Sequence, residues 1–305
     1  MAGGRIVKVD RVEWHIIPDP ATVATALQNG EVDLVEQPSF DVLPLLRKDP
    51  HIRLAKLSPF ADQSFLRPNF LQWPFNNVLA RQALNYVIDQ GDEMAAAYGD
   101  PANWQRCNSF FVCGTKYGTE AGAEGFHQDF AKARDLLAQA GYHGEKLIFI
   151  ASHDNANRTM SEVAADAMAK AGMNIEMIWS DWATVVGRAQ RKDAPAAGGW
   201  NLRITGAPGA LLVNPATNGI TDMSCTGKNF SGWPCDDEAE KLKAAFADAA
   251  EADRPAILDR LHRRLAEMVP ERVLGQYSAP VAYRTTLSGV LASPVIVYWN
   301  IDKAQ

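Results

Sequence analysis

Chemistry in this 305-residue chain would have to come from six histidines, four cysteines and the acids around them. His15, His51, His127, His143, His153 and His262 are scattered over different segments, with no metal-binding spacing among them. There is no G-x-S-x-G nucleophile elbow, no Walker phosphate loop, no G-x-G-x-x-G following a strand and no H-E-x-x-H. His153–Asp154, in a loop after a strand, is the one acid–base pair to weigh, and an aspartate capping that loop is the plainer account of it. His15 on a strand and His262 on a charged helix read as structural or solvated. A hydrolase therefore lacks both a nucleophile and an acid pair, and no catalytic residue, metal site or cofactor is expected.

The cysteines form two close pairs, Cys107 with Cys113 in "RCNSFFVCGTKYG" and Cys225 with Cys235 in "SCTGKNFSGWPCDD". Zinc would need tighter spacing within each pair and a nearby histidine. Two local disulfides made in an oxidising compartment are favoured over four cytosolic thiols, because unpaired structural thiols belong in apolar elements rather than polar loops.

Composition narrows the class. With 47% hydrophobic and 22% charged residues the chain is an ordinary globular one, long enough for two domains. A net charge of −6 argues against nucleic acid or an anionic membrane surface as partner. No apolar run approaches the ~20 residues a membrane span needs. The start, "MAGGRIVKVDRVEW", lacks the apolar core of a signal peptide. At face value that means cytoplasm; the alternative is a cloning remnant ahead of a truncated gene.

Periodicity supplies the elements. "RVEWHII" (Arg11–Ile17) reads as strand, "ATVATALQN" as a helix stopped by Gly30, "VDLVE" as strand, "DVLPLLRK" as a short helix despite Pro44, and "IRLAKL" as strand, a β-α-β-α-β unit. A second α/β region opens with the strand "KLIFIAS" (Lys146–Ser152). A helix follows from Thr159, with Glu162 completing a capping box and Gly172 ending it. The strand "MNIEMIW", a helix through "WATVVGRAQR" and the strand "WNLRI" continue it. Between the regions lie a helix from Val78 to Asp89, the loop with Cys107 and Cys113, and a helix in "QDFAKARDLLAQAGY" capped by Asp129 and closed by Gly141. Two charged helices, Asp237–Ala249 and Pro255–Val269, precede a strand-like tail.

Five of the eight tryptophans, Trp73, Trp104, Trp182, Trp200 and Trp233, sit in predicted loops. "RPNFLQWPF" and "GGWNLRITGAPGALLVNPATNG" mix rings with amides, a composition that lines binding clefts. For any single tryptophan, filling the core beneath a loop is the commoner role.

Taken in order, "ALQNGEVDL", "WPFNNVLARQALNYVIDQ", "FAKARDLLAQAGY", "AGMNIEMIWSDWATV", "GGWNLRITG" and "EMVPERVLGQYSAPVAYRTTLSGV" resemble the family 5 extracellular solute-binding proteins of ABC transporters, the dipeptide, oligopeptide and nickel group. The resemblance runs from about Arg5 to Ile301, and "PFNNVLARQALNYVID" resembles the family's signature helix. It implies an α/β, periplasmic-binding-protein-like type II fold, two lobes closing on a solute at their interface. Residues 1–60 would be a partial first lobe, 61–274 the second lobe, and 275–305 strands returning to the first. It also implies work outside the cytoplasmic membrane, a membrane permease as partner, and no catalysis.

Two departures from the family pattern shape the expectations. The usual N-terminal portion is absent, so the first lobe is expected to be incomplete and its uncovered apolar face to drive self-association or disorder. And where peptide-binding members carry an aspartate after the tryptophan strand, "ITGAPGALL" puts Pro208, with no acid between Asp193 and Asp222. A buried ammonium without a counter-charge is costly. A free peptide N-terminus is therefore not expected to be the main recognition element; a blocked or cyclic peptide, an opine-like conjugate or a sugar would suit better. Arg203 would favour a carboxylate-bearing solute if it faces the cleft, and a surface arginine in an alternating strand is the commoner alternative. The expected solute contacts are Asn69, Phe70, Trp104, Trp200, Arg203, Asn214, Asn218 and Tyr277. A ligand-binding receptor for a signalling partner, and a fragment that binds nothing on its own, remain the alternatives.

Overall fold

The computed structural model describes residues 4–153 and 155–304. From the N-terminus the elements are α1 (Pro20–Asn29), β1 (Leu34–Val35), α2 (Leu43–Leu46), β2 (Ile52–Ala55), β3 (Asp62–Pro68), α3 (Val78–Ala83), α4 (Gln90–Tyr98), β4 (Trp104–Gln105) and α5 (Phe130–Ala140). There follow β5 (Lys146–Ser152), α6 (Asn155–Lys170), β6 (Asn174–Ser180), α7 (Trp182–Ala189), β7 (Leu202–Ala207), α8 (Gly209–Leu212), α9 (Asp237–Asp248), α10 (Arg254–Met268), β8 (Arg272–Tyr277), β9 (Val281–Arg284), β10 (Leu287–Ser288) and β11 (Asp302–Lys303). They divide into two compact units, one from residues up to Ala61 together with those from Ser278 onward, the other Asp62–Tyr277.

In the first unit β9 lies between β1 and β2, antiparallel to both. α1 packs Ala24 and Leu27 onto Leu46, Ile52 and Ala282. Gly30 ends α1 at φ 77°, a left-handed turn that costs glycine little. Arg284 of β9 donates to the last helical carbonyls, of Leu27 and Gln28. The strand expected over Arg11–Ile17 is not formed; its side chains are mostly exposed, Ile16 at 94%. Alternating apolar residues need a neighbouring strand to take their backbone hydrogen bonds, and among the described residues none pairs with this stretch. Trp14 instead meets Tyr298 edge-on at 5.3 Å.

The second unit is built on a six-stranded mixed sheet in the order β4-β8-β3-β7-β5-β6, with β5 parallel to both β6 and β7 and the other pairings antiparallel. α5 begins on the Asp129 carboxylate and ends on Gly141. α6 starts at Asn155, a turn before the expected Thr159; nothing in Asn155–Arg158 breaks a helix, and Glu162 pairs with Arg158 one turn back. The helix expected from Val78 to Asp89 stops early: α3 gives way to a 3-10 turn at Leu84–Tyr86. Asp89 caps a further helix, α4, by accepting from the Gly91 and Asp92 amides. Both cysteine pairs are disulfides, Cys107–Cys113 at 2.02 Å and Cys225–Cys235 at 2.00 Å. No helix among the described residues is long and apolar enough to cross a membrane.

Two buried polar groups hold this unit together. Arg67, in the middle of the sheet and wholly buried, is ion-paired to Glu271 at 2.6 Å and donates to the carbonyls of Ile220 and Ser231. Burial pushes the Glu271 carboxyl up, its partner notwithstanding. His262 of α10 is also wholly buried, bonded through Nδ1 to the Ala121 carbonyl at 2.6 Å while Nε2 accepts from the Phe110 amide at 3.2 Å. That pattern fixes the neutral tautomer, and burial pushes its pKa down to about 4.

Two predictions follow. Glu271→Gln leaves a buried guanidinium uncompensated and is expected to cost about 3 kcal/mol in urea unfolding, while the apolar double change Arg67→Met/Glu271→Leu costs less. For His262 the folded pKa lies below the unfolded one, so its contribution is present above pH 6.5 and lost as pH falls towards 4. The loss is roughly 3 kcal/mol, read as a steeper acid destabilisation of the parent chain than of His262→Gln.

Candidate functional site

Register across the sheet brings together residues far apart in sequence. Trp104 on β4 is the partner of Tyr277 on β8, and Tyr277 is the partner of Asp62 on β3. Directly opposed side chains share a face, so the three form one row at one end of the sheet. On the same face, the Tyr98 ring of α4 stacks on Tyr277, centroids 4.2 Å apart, and its hydroxyl is 2.8 Å from Ser64 Oγ. Trp104 is fixed by its indole N–H, which donates to the Gly99 carbonyl. Asp62, Trp104 and Tyr277 are each partly exposed.

Asp62 is the reactive member of the row in the electrostatic sense. Its Oδ1 accepts one hydrogen bond, from the Gly209 amide at 2.9 Å, and it has no ion pair among the described residues. Partial burial raises its pKa, against the smaller lowering effect of the Gly209 amide. Burial, and then the Asp62 charge, push the Tyr277 hydroxyl up to about 12, so it stays a neutral donor. A carboxylate flanked by aromatic rings suits an ammonium group, which takes a charge-assisted hydrogen bond and ring faces together.

This geometry adds a carboxylate from another strand beside Pro208. Gly209, whose amide meets Asp62, follows Pro208 immediately, so a carboxylate does stand beside that position. It comes from the neighbouring strand, where a scan of the residues between Asp193 and Asp222 had no way to find it. The one sequence signal was an acid opening "DQSFLRP", a stretch too polar to read as a central strand.

The other expected contacts fall elsewhere. Asn69 is wholly buried, donating to the Trp200 carbonyl and accepting from the Leu71 amide. Trp200 is wholly buried too, its indole bonded to the Ala189 carbonyl. Phe70 is partly buried beneath the Arg81 guanidinium, 3.8 Å from its ring centre. Asn214 is exposed and caps a turn through the Ala216 amide. Asn218 is buried, donating to the Phe110 carbonyl and accepting from Ile220. Arg203 is not the surface arginine taken as the commoner alternative: it is 3% exposed, roofed by Phe230 and Ser231, and lies on the sheet face opposite Asp62. Of the pair weighed for hydrolysis, His153 is exposed with its ring stacked on Trp179, and Asp154 lies outside the described residues. The structure thus brings Trp104 and Tyr277 together in one row and leaves the rest outside it, Asn69 and Arg203 meeting Trp200 in the interior instead.

Comparison with known proteins agrees with this architecture. Residues 2–222 match the profile described as bacterial extracellular solute-binding proteins, family 5 middle. The chain is 37% identical, over its full length, to the probable peptide ABC transporter periplasmic-binding protein y4tO of Sinorhizobium fredii, and spans 58% of that protein. Identity to di/tripeptide-binding protein 1 of Pseudomonas aeruginosa is 26%, over 94% of this chain and 53% of the relative. Among solved structures, the binding protein AgaA from A. tumefaciens R10, in complex with agropinic acid, superposes with a TM-score of 0.81 at 20% identity, over 95% of this chain and 60% of that one. The dipeptide-binding protein of Pseudoalteromonas sp. SM9913, in complex with Met-Leu, gives 0.80 at 22% identity, over 94% of this chain and 57% of that one. The fold is the α/β, type II periplasmic-binding-protein-like one. On the match over residues 2–222, the chain belongs to the bacterial extracellular solute-binding proteins, family 5.

Proposed function

We propose that this chain is part of the substrate-binding component of an ABC importer, which captures a small peptide-like solute outside the cytoplasmic membrane and delivers it, chemically unchanged, to a membrane permease. The observation that carries the solute class is the Asp62 carboxylate, with one protein hydrogen bond and raised pKa, set in a row with Tyr277 and Trp104. In this reading Asp62 takes the ammonium of the solute, Trp104 and Tyr277 supply ring faces, and an opine-like conjugate with a free amine remains an acceptable solute while a sugar does not. Two disulfides support work in an oxidising compartment. Binding would act by stabilising one conformation of the complete protein over another.

Calorimetry with a dipeptide and its N-acetyl form tests the reading. The free dipeptide is expected to bind, acetylation to abolish binding, and Asp62→Asn to weaken it roughly 10–100-fold. Equal affinity for both peptides, or an unaffected Asp62→Asn variant, would reject the ammonium role.

A separate observation supports self-association of the isolated chain. Ile6, Val7, Trp14 and Ile16 are exposed at 60%, 70%, 68% and 94% in the first unit. Light scattering is expected to show a mass that rises with concentration; a monomer at every concentration would exclude it.

A further inference from the structure

Behind the row just described, the opposite face of the same sheet carries a charge that the protein leaves unanswered. Arg67 on β3 and Arg203 on β7 are directly opposed partners, so two guanidiniums stand side by side on one face. Both are buried, at 0% and 3% exposure. They converge on the loop that covers them: Arg67 Nε donates to the Ser231 carbonyl at 3.0 Å and Arg203 Nη2 to the Ser231 hydroxyl at 2.8 Å. Their guanidinium carbons lie 4.9 and 5.2 Å from the Phe230 ring centre. Glu271 is the one carboxylate ion-paired here, and it is paired with Arg67. Arg203 has no ion pair among the described residues, and Ser231 takes its one side-chain hydrogen bond. Two donors are left over and buried, Arg67 Nη2 and Arg203 Nε.

A buried acid in such a position can take up a proton and become neutral. Glu93, buried with both carboxylate oxygens unpartnered, has its pKa raised well above the ordinary range, first by burial and then by the Asp92 charge. A guanidinium has no such exit. Burial, and then the charge of Arg67, push Arg203 down to about 9, which still leaves it cationic at neutral pH. Asp222 also acts on Arg67 through its charge, but among the described residues it is ion-paired to neither arginine, and no carboxylate pairs with Arg203; an uncompensated buried charge is among the costliest features a fold can carry.

We propose that the buried donors of Arg67 and Arg203 enclose one small monovalent anion, either a free halide or the carboxylate of a solute. A water molecule would answer the two N–H groups but not the charge; an anion answers both. The site is distinct from the Asp62 row; its halide arm is independent of the solute-binding reading, and its carboxylate arm rests on it.

The test is thermal unfolding in sodium bromide exchanged against sodium gluconate at constant ionic strength, on the parent chain and on Arg203→Met. If the anion is free halide, bromide raises the parent midpoint by roughly 3 °C for each tenfold increase above its dissociation constant. Arg203→Met, having lost the charge, shows no bromide dependence and is as stable as the parent in gluconate alone. A purely structural arginine would instead leave the variant less stable in every salt. If bromide has no effect, a dipeptide compared with its C-terminal amide reports the other source. Stabilisation by the carboxylate form alone, lost in Arg203→Met, assigns the site to the solute. Should the variant fail to fold, anomalous scattering from a bromide-grown crystal of the parent chain gives an independent answer. The proposal is overturned if neither bromide nor the peptide carboxylate acts through Arg203, or if the crystal shows water between the two guanidiniums.

Discussion

The second unit is arranged around the burial of the Arg67 guanidinium in the middle of a sheet. Its partners come from distant parts of the chain: the Glu271 carboxylate just before β8, the Ile220 carbonyl, and the Ser231 carbonyl within the loop closed by the Cys225–Cys235 disulfide. Gly232 follows from the same constraint. At φ 103° a Cβ there would lie 2.8 Å from the Pro68 carbonyl oxygen and 3.2 Å from Arg67 Nε, so the loop can approach the guanidinium only through a glycine. Removing any one partner strands the others, which is why such clusters tolerate concerted replacement better than single changes.

Strand alternation then separates two kinds of polar residue on β3. Gln63 lies on the Arg67 face and is engaged through its amide nitrogen. Its amide donates to the Ser109 and Phe111 carbonyls, while its cross-strand partner Gln276 bonds both the amide and the carbonyl of Cys113. Together they hold the Cys107–Cys113 loop against the sheet. Asp62 and Ser64 lie on the other face. There Ser64 is engaged by Tyr98, and Asp62, at the strand end, keeps acceptor capacity to spare. One strand thus carries engaged polar groups on one face and a carboxylate with spare acceptor capacity on the other.

Much of this was legible along the chain wherever local chemistry decides structure. Asp129 and Gly141 bound α5 where they were expected to, Gly30 stops α1, and the strand Lys146–Ser152 has the limits read from its apolar run. These signals are caps and periodicities that operate within a few residues. Where structure depends on a distant partner the reading failed. Arg11–Ile17 alternates like a strand but has no paired neighbour among the described residues, whereas "DQSFLRP" looks polar yet forms the buried middle of the sheet because its partners for Gln63, Ser64 and Arg67 lie elsewhere in sequence. α4 escaped notice because its apolar stripe is weak and its start rests on an aspartate that had been read as the end of the preceding helix.

The same distinction separates the candidate site residues. Asn69, Asn218 and Asp62 are all short polar side chains in or beside aromatic-rich segments, and composition treats them alike. What separates them is bonding capacity already spent. Asn69 has given its amide to Trp200 and its carbonyl to Leu71; Asn218 has given its own to Phe110 and Ile220; Asp62 has accepted a single backbone amide. A binding residue is one the fold has positioned without satisfying, and that remainder is a property of the assembled sheet. Loop composition and family layout point to Trp104 and Tyr277 as candidates, whereas the Asp62 carboxylate joins them only through register, where β3 sets it beside Tyr277.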